Sequence, residues 1–62
     1  MMERMIAELQ NRLNSIRECR EDGLDELEKD MMIDFLVCKR FCEAVTGKVL
    51  EVRNWKVQEV AR

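Results

Sequence analysis

The eight residues Met31-Met32-Ile33-Asp34-Phe35-Leu36-Val37-Cys38 are apolar at every position but Asp34. A helix through them presents apolar side chains nearly all the way round, and such a helix has to be covered on two sides. Only 62 residues are available to do so, and a chain of that size buries only about 60% of its unfolded surface when it folds alone. Disulfides, a structural metal or oligomerisation usually supply the difference. The apolar surplus here points to oligomerisation, with a second copy of the chain as the second cover.

The chain has no proline, and its two glycines, Gly23 and Gly47, fall where helical patterns stop. They divide the sequence into a helix over about 2–20, a helix over about 24–46 and a C-terminal segment, 48–61, all within a single small domain. In the first segment Met2, Ile6, Leu9, Leu13 and Ile16 alternate spacings of four and three, one stripe of an amphipathic helix. Glu21-Asp22-Gly23 reads as a tight connection in which Gly23 takes the left-handed conformation. Asp22, or Asp25 with Glu28 as a capping box, is expected to open the second helix. So short a loop makes the helices antiparallel neighbours.

On the second helix Leu24, Leu27, Met31, Phe35, Cys38, Cys42 and Val45, widened by Phe41, match the stripe of the first. Met32, Ile33, Leu36 and Val37 lie on other faces and are surplus to that core, so they are the expected protein interface. Residues 48–61 fit two patterns. As a helix they continue the stripe through Val49 and Val52, but Leu50 and Val57 then point away from it. As a hairpin turning at Arg53-Asn54 they pair Val52 with Trp55, Leu50 with Val57, Glu51 with Lys56 and Lys48 with Glu59. The valines favour strand, although the turn lacks the Asn-Gly or Asp-Gly that two-residue loops prefer. The predicted fold is therefore mainly α: an antiparallel two-helix hairpin with a short C-terminal β-hairpin rather than a third helix, dimerising into a four-helix bundle.

Eleven basic and thirteen acidic residues leave a net charge of −2, which gives no strong attraction to nucleic acid or anionic membrane. The charges are unevenly placed: residues 1–30 carry nine acids and five bases, residues 31–62 four acids and six bases. Met1–Ala7 does not read as a signal peptide, because Glu3 and Arg4 interrupt it. The Met31–Cys38 run falls well short of the ~20 residues of a membrane span. Three cysteines without a secretory signal fit free thiols in a reducing compartment, so a cytoplasmic protein with no membrane partner is expected.

Chemistry is hard to assemble from this sequence. Without histidine it lacks the usual base near neutral pH and the commonest metal ligand, so neither an enzyme nor a cofactor is expected. Asp34 is expected to reach a base, Arg12, Lys39 or Arg40, at the edge of an interface. Cys38 and Cys42 are one turn apart and could ligate zinc, with Cys19 nominally a third. In an antiparallel hairpin, however, Cys19 lies near the turn, roughly 20 Å from Cys38 at ~1.5 Å per residue. Packing is the expected role of all three.

Two functions from different classes fit these patterns. The first is a small regulatory or adaptor module acting through self-association and contact with a protein partner that the sequence does not identify. The second is a small nucleic-acid-binding regulator using a basic C-terminal end, Lys39, Arg40, Lys48, Arg53, Asn54, Trp55 and Lys56 with Arg62, in which an aromatic stacker accompanies the bases. Glu43, Glu51 and Glu59 are interleaved there and would repel phosphate.

Overall fold

The computed structural model describes residues 2–60, in the order helix α1 (Met2–Glu21), helix α2 (Asp25–Thr46), strand β1 (Val49–Arg53) and strand β2 (Lys56–Val60). Ala61, the end of the expected C-terminal segment, and Arg62, a member of the expected basic end, lie outside the described residues. The fold is mainly α, two helices followed by a two-stranded antiparallel hairpin. Helices of 20 and 22 residues are about 30–33 Å long at 1.5 Å per residue, which accounts for the 36 Å long axis of the molecule against 19 and 18 Å in the other directions.

Gly23, at φ +73, closes α1. The Leu24 N–H donates to the Cys19 carbonyl at 2.9 Å and the Gly23 N–H to the Arg20 carbonyl at 3.2 Å, the paired bonds of a Schellman motif. The connection is so short that Leu24 also serves as the N-cap of α2, where no side-chain cap bond is made. The expected cap at Asp22 or Asp25 is therefore corrected. Asp22 still belongs to the end of α1, its N–H donating to the Glu18 carbonyl, and Asp25 is already helical. Asp25, Glu26 and Glu28 nonetheless occupy the first turn, where the helix dipole favours acids. At the other end Gly47, at φ +70, donates to the Glu43 carbonyl at 2.8 Å and stops α2.

The hairpin turns one residue later than its sequence pattern implies. Asn54 and Trp55 both have positive φ, 53° and 61°, as a type I′ turn requires of its two central residues. Asn tolerates that conformation because its side chain can bond locally; for Arg at the first position the cost is higher. The pairs are consequently Leu50 with Glu59, Glu51 with Gln58, Val52 with Val57 and Arg53 with Lys56, in place of Val52 with Trp55, Leu50 with Val57 and Glu51 with Lys56. This displacement moves the partner strand by two positions, which preserves faces, whereas a slip of one would have inverted them. Leu50 and Val57 accordingly share one face and are both buried, and Lys48 still reaches Glu59, at 3.6 Å.

Leu50 and Val57 complete a core made by Leu9, Leu13 and Ile16 of α1 and Phe35 and Cys42 of α2. Each large side chain buried there gains about 1.5–3 kcal/mol over exposure to water. Two polar clamps align the hairpin on the helices. The Gln10 side chain donates from Nε2 to the Trp55 carbonyl at 2.8 Å and accepts at Oε1 from the Val57 N–H at 2.8 Å, so its amide acts as a one-residue extension of the sheet beyond β2. Glu43 accepts at Oε2 from the Leu50 N–H at 2.9 Å and at Oε1 from Lys39 Nζ at 3.2 Å, which ties β1 to α2. The Leu50 N–H in the first place, and Lys39 and Arg40 after it, hold the Glu43 carboxyl below the usual glutamate value against the opposing effect of burial.

Candidate functional site

The helix pair has two broad sides, and the hairpin covers one. Gln10 and Leu13 of α1 with Phe35 and Glu43 of α2 meet the strands or border them. The other side is open. There Met5, Leu9 and Arg12 of α1 face Val37, Phe41 and Cys42 of α2 across an apolar groove of about 400 Å³. Arg12 bonds Asp34 where the two helices approach, so of the three bases expected for Asp34 it is Arg12 that pairs with it.

The groove continues onto a row of exposed apolar side chains. Ile33, Val37, Phe41 and Val45 recur every four residues, one ridge of a helix surface, and they are 62, 62, 65 and 54% exposed. Phe41 and Val45, expected in the hairpin core, stand outside it. Leu24 and Leu27, expected there too, are about half exposed. The buried stripe of α1 ends at Cys19, so the first turn of α2 has no apolar counterpart to pack on.

The four residues expected to form the interface are divided by the structure among different surfaces. Met32 is half-buried and packs against the core, and with Leu36 it borders a second cavity, of about 560 Å³, on the hairpin side beside Leu13, Val52 and Trp55. Ile33 is exposed and borders neither cavity, and Val37 lines the groove. The exposure of Phe41, the greatest of any large apolar side chain among the described residues, is what the sequence reading missed. Its signal was the four-residue repeat from Ile33, which extends through Val37 to Phe41.

The basic set is divided as well. Arg53, Asn54, Trp55 and Lys56 meet at the hairpin tip. Arg17 and Arg20 join them there, their guanidinium carbons 5.9 and 5.3 Å from the centre of the Trp55 ring, within cation–π range. Lys48 lies at the far end of the strands, paired with Glu59, and Lys39 is held by Glu43. Arg40 is exposed on α2. Around the tip Arg17 pairs with Glu21, Arg20 with Glu28 and Arg53 with Glu51, which offsets most of its positive charge.

The thiols are dispersed. Cys19 Sγ lies 3.5 Å from Met31 Sδ near the interhelical turn, and Cys42 is buried in the core. Cys38 is half-buried and borders the groove. No group of three or more potential ligand side chains able to hold a metal ion occurs among the described residues. No described helix is long and apolar enough to cross a membrane. Comparison with protein-family models, with curated proteins and with solved structures gives no match to this chain.

Proposed function

We propose that this protein is a small non-enzymatic regulatory or adaptor module that acts by self-association and by contact with other proteins through the exposed face of α2. One observation carries the reading. Among the described residues nine large apolar side chains are exposed against eight apolar residues buried, and six of the nine lie on α2. Exposed apolar residues are ordinary singly, but a contiguous patch on so small a chain marks an interaction surface. Closed two-fold dimers are the commonest outcome of self-association. Sedimentation velocity at micromolar concentration is expected to give a dimer, and Ile33→Asp with Val37→Asp a monomer that keeps its helical circular dichroism. A wild-type chain that sediments as a folded monomer overturns the reading.

A second reading, a small nucleic-acid-binding regulator, draws on the tip, where Arg17 and Arg20 flank Trp55 next to Arg53 and Lys56. It predicts salt-sensitive binding of single-stranded RNA or duplex DNA that Trp55→Ala and Lys56→Ala each weaken. Absence of binding at low salt removes it.

A further inference from the structure

We infer that the occupant of the open groove is α2 of a second copy of this chain, lying antiparallel across a two-fold axis near Val37, so that Ile33 of each copy reaches the groove of the other and packs against its Phe41. The inference rests on the self-association proposed above and specifies its side, its register and its direction.

The side follows from the layers. The helix pair is covered by the hairpin on one side and by nothing described on the other, where Met5, Leu9 and Cys42 are reached through the groove. The ridge Ile33–Val37–Phe41–Val45 runs from the outer back of α2 onto that same side. One surface therefore offers both a ridge and a furrow. Ridge-into-furrow packing is how helices join, and a self-complementary surface is what a two-fold interface needs. On the hairpin side, by contrast, Leu50 and Val57 already cover the core, and the cavity left beside them is bordered by the strands themselves, through Val52, Asn54 and Trp55.

The direction follows from charge. On the exposed side of α2 the acids Glu26 and Asp30 precede the apolar ridge, with Lys29 beside them. Arg40 accompanies its second half and Lys48 follows the helix. In an antiparallel pair centred near Val37, Lys48 of one copy lies level with Glu26 of the other, and Arg40 lies level with Asp34, about one turn from Asp30. The two helix dipoles also run opposite ways. A parallel pair would set Glu26 and Asp30 against their own copies and Arg40 against Arg40, and juxtaposed like charges count against a partner. Such a pairing brings four helices together, with α1, α2 and their symmetry mates around the joined grooves and one hairpin on each outer side. Cys38, half-buried in the single chain, becomes covered.

Sedimentation velocity of the full chain and variants tests this, with cysteine alkylation read by mass spectrometry as a second measure. Phe41→Glu is expected to abolish the dimer and to raise the alkylation rate of Cys38, while Leu36→Glu, on the hairpin side, leaves both as in the wild type. Circular dichroism confirms that each variant is folded, and Phe41→Ala, which adds no charge, is to weaken the dimer in the same direction if Phe41→Glu is not. Glu26→Lys with Asp30→Lys, and separately Arg40→Glu, are each expected to weaken self-association about tenfold, and an equimolar mixture of the two proteins to recover it. A dimer broken by Leu36→Glu but not by the Phe41 variants overturns the assigned side. Charge-reversed chains that dimerise as tightly as the wild type overturn the antiparallel direction. In both cases self-association itself stands, whereas a monomeric wild type removes this inference together with the proposal beneath it.

Discussion

Besides an exposed hydrogen bond to Asn14 Oδ1, replacing Gln10 by Ala removes the two side-chain hydrogen bonds that reach the hairpin, to the Trp55 carbonyl and from the Val57 N–H. Both bonds are partly buried, and a hydrogen bond of that kind contributes about 0.5–1.5 kcal/mol net, so about 1–3 kcal/mol is at stake. A chain of this length has a total stability of about 3–9 kcal/mol at 0.05–0.15 kcal/mol per residue, and the loss is a large fraction of it. With a urea slope near 1 kcal/mol/M for a small protein, the midpoint should fall by about 1 M or more. Trp55 is the only tryptophan and sits at the hairpin tip, so its fluorescence follows the hairpin while far-ultraviolet circular dichroism follows the helices. In the wild type the two transitions should coincide. In Gln10→Ala the fluorescence transition should come first, because the clamp that couples the tip to α1 is gone. Gln10→Glu keeps an acceptor for Val57 but sets a carboxylate against the Trp55 carbonyl. Its deficit relative to Gln10→Ala should shrink as the pH falls below about 4 and the carboxyl gains a proton. Coincident transitions and an unchanged midpoint in Gln10→Ala would show that burial of Leu50 and Val57 alone holds the hairpin.

The Glu43 clamp should make the hairpin sensitive to acid. A carboxyl whose folded value lies below its unfolded one stabilises the fold above the ordinary glutamate range, and that contribution is lost as the pH falls through the folded value. Glu43→Gln keeps an acceptor for the Leu50 N–H but loses the charge facing Lys39, so its urea midpoint should vary less than that of the wild type between about pH 6 and pH 3. Gly23→Ala and Gly47→Ala should each cost about 1–2 kcal/mol, since both positions have positive φ, and a new Cβ meets nothing within 4 Å at either. Calorimetry should show Tm falling by at least about 4–8 °C, and Asn at either site should cost less.

The helical hairpin was legible from the sequence because its causes are local. Spacings of three and four place Leu9, Leu13 and Ile16 on one line wherever the rest of the chain goes, and Gly23 and Gly47 end the helices through their own backbone conformation. Strand propensity in the valines favoured the hairpin. Its register was harder to read, since the sequence lacks the Asn-Gly signal and places Trp55 in a left-handed conformation that a bulky residue rarely adopts. What accompanies that conformation is distant in sequence: Gln10 on the Trp55 carbonyl and Arg17 and Arg20 over its ring. No pattern within residues 48–60 reports those partners.

The same division applies to the exposed face. The sequence by itself determined that α2 carries more apolar surface than one neighbouring helix can cover, since that is a matter of composition and periodicity. Only the tertiary structure decided which part of the surplus is left open. The hairpin, held by Gln10 and Glu43, occupies one side of the helix pair, where Met32 is half-buried and Leu36 borders the second cavity, while Phe41, to all appearance a core residue in the sequence, stands at the edge of the uncovered groove. Exposure depends on which element lies opposite a side chain, and that is fixed by hydrogen bonds spanning 45 and 47 residues, far beyond the reach of any helical or strand repeat.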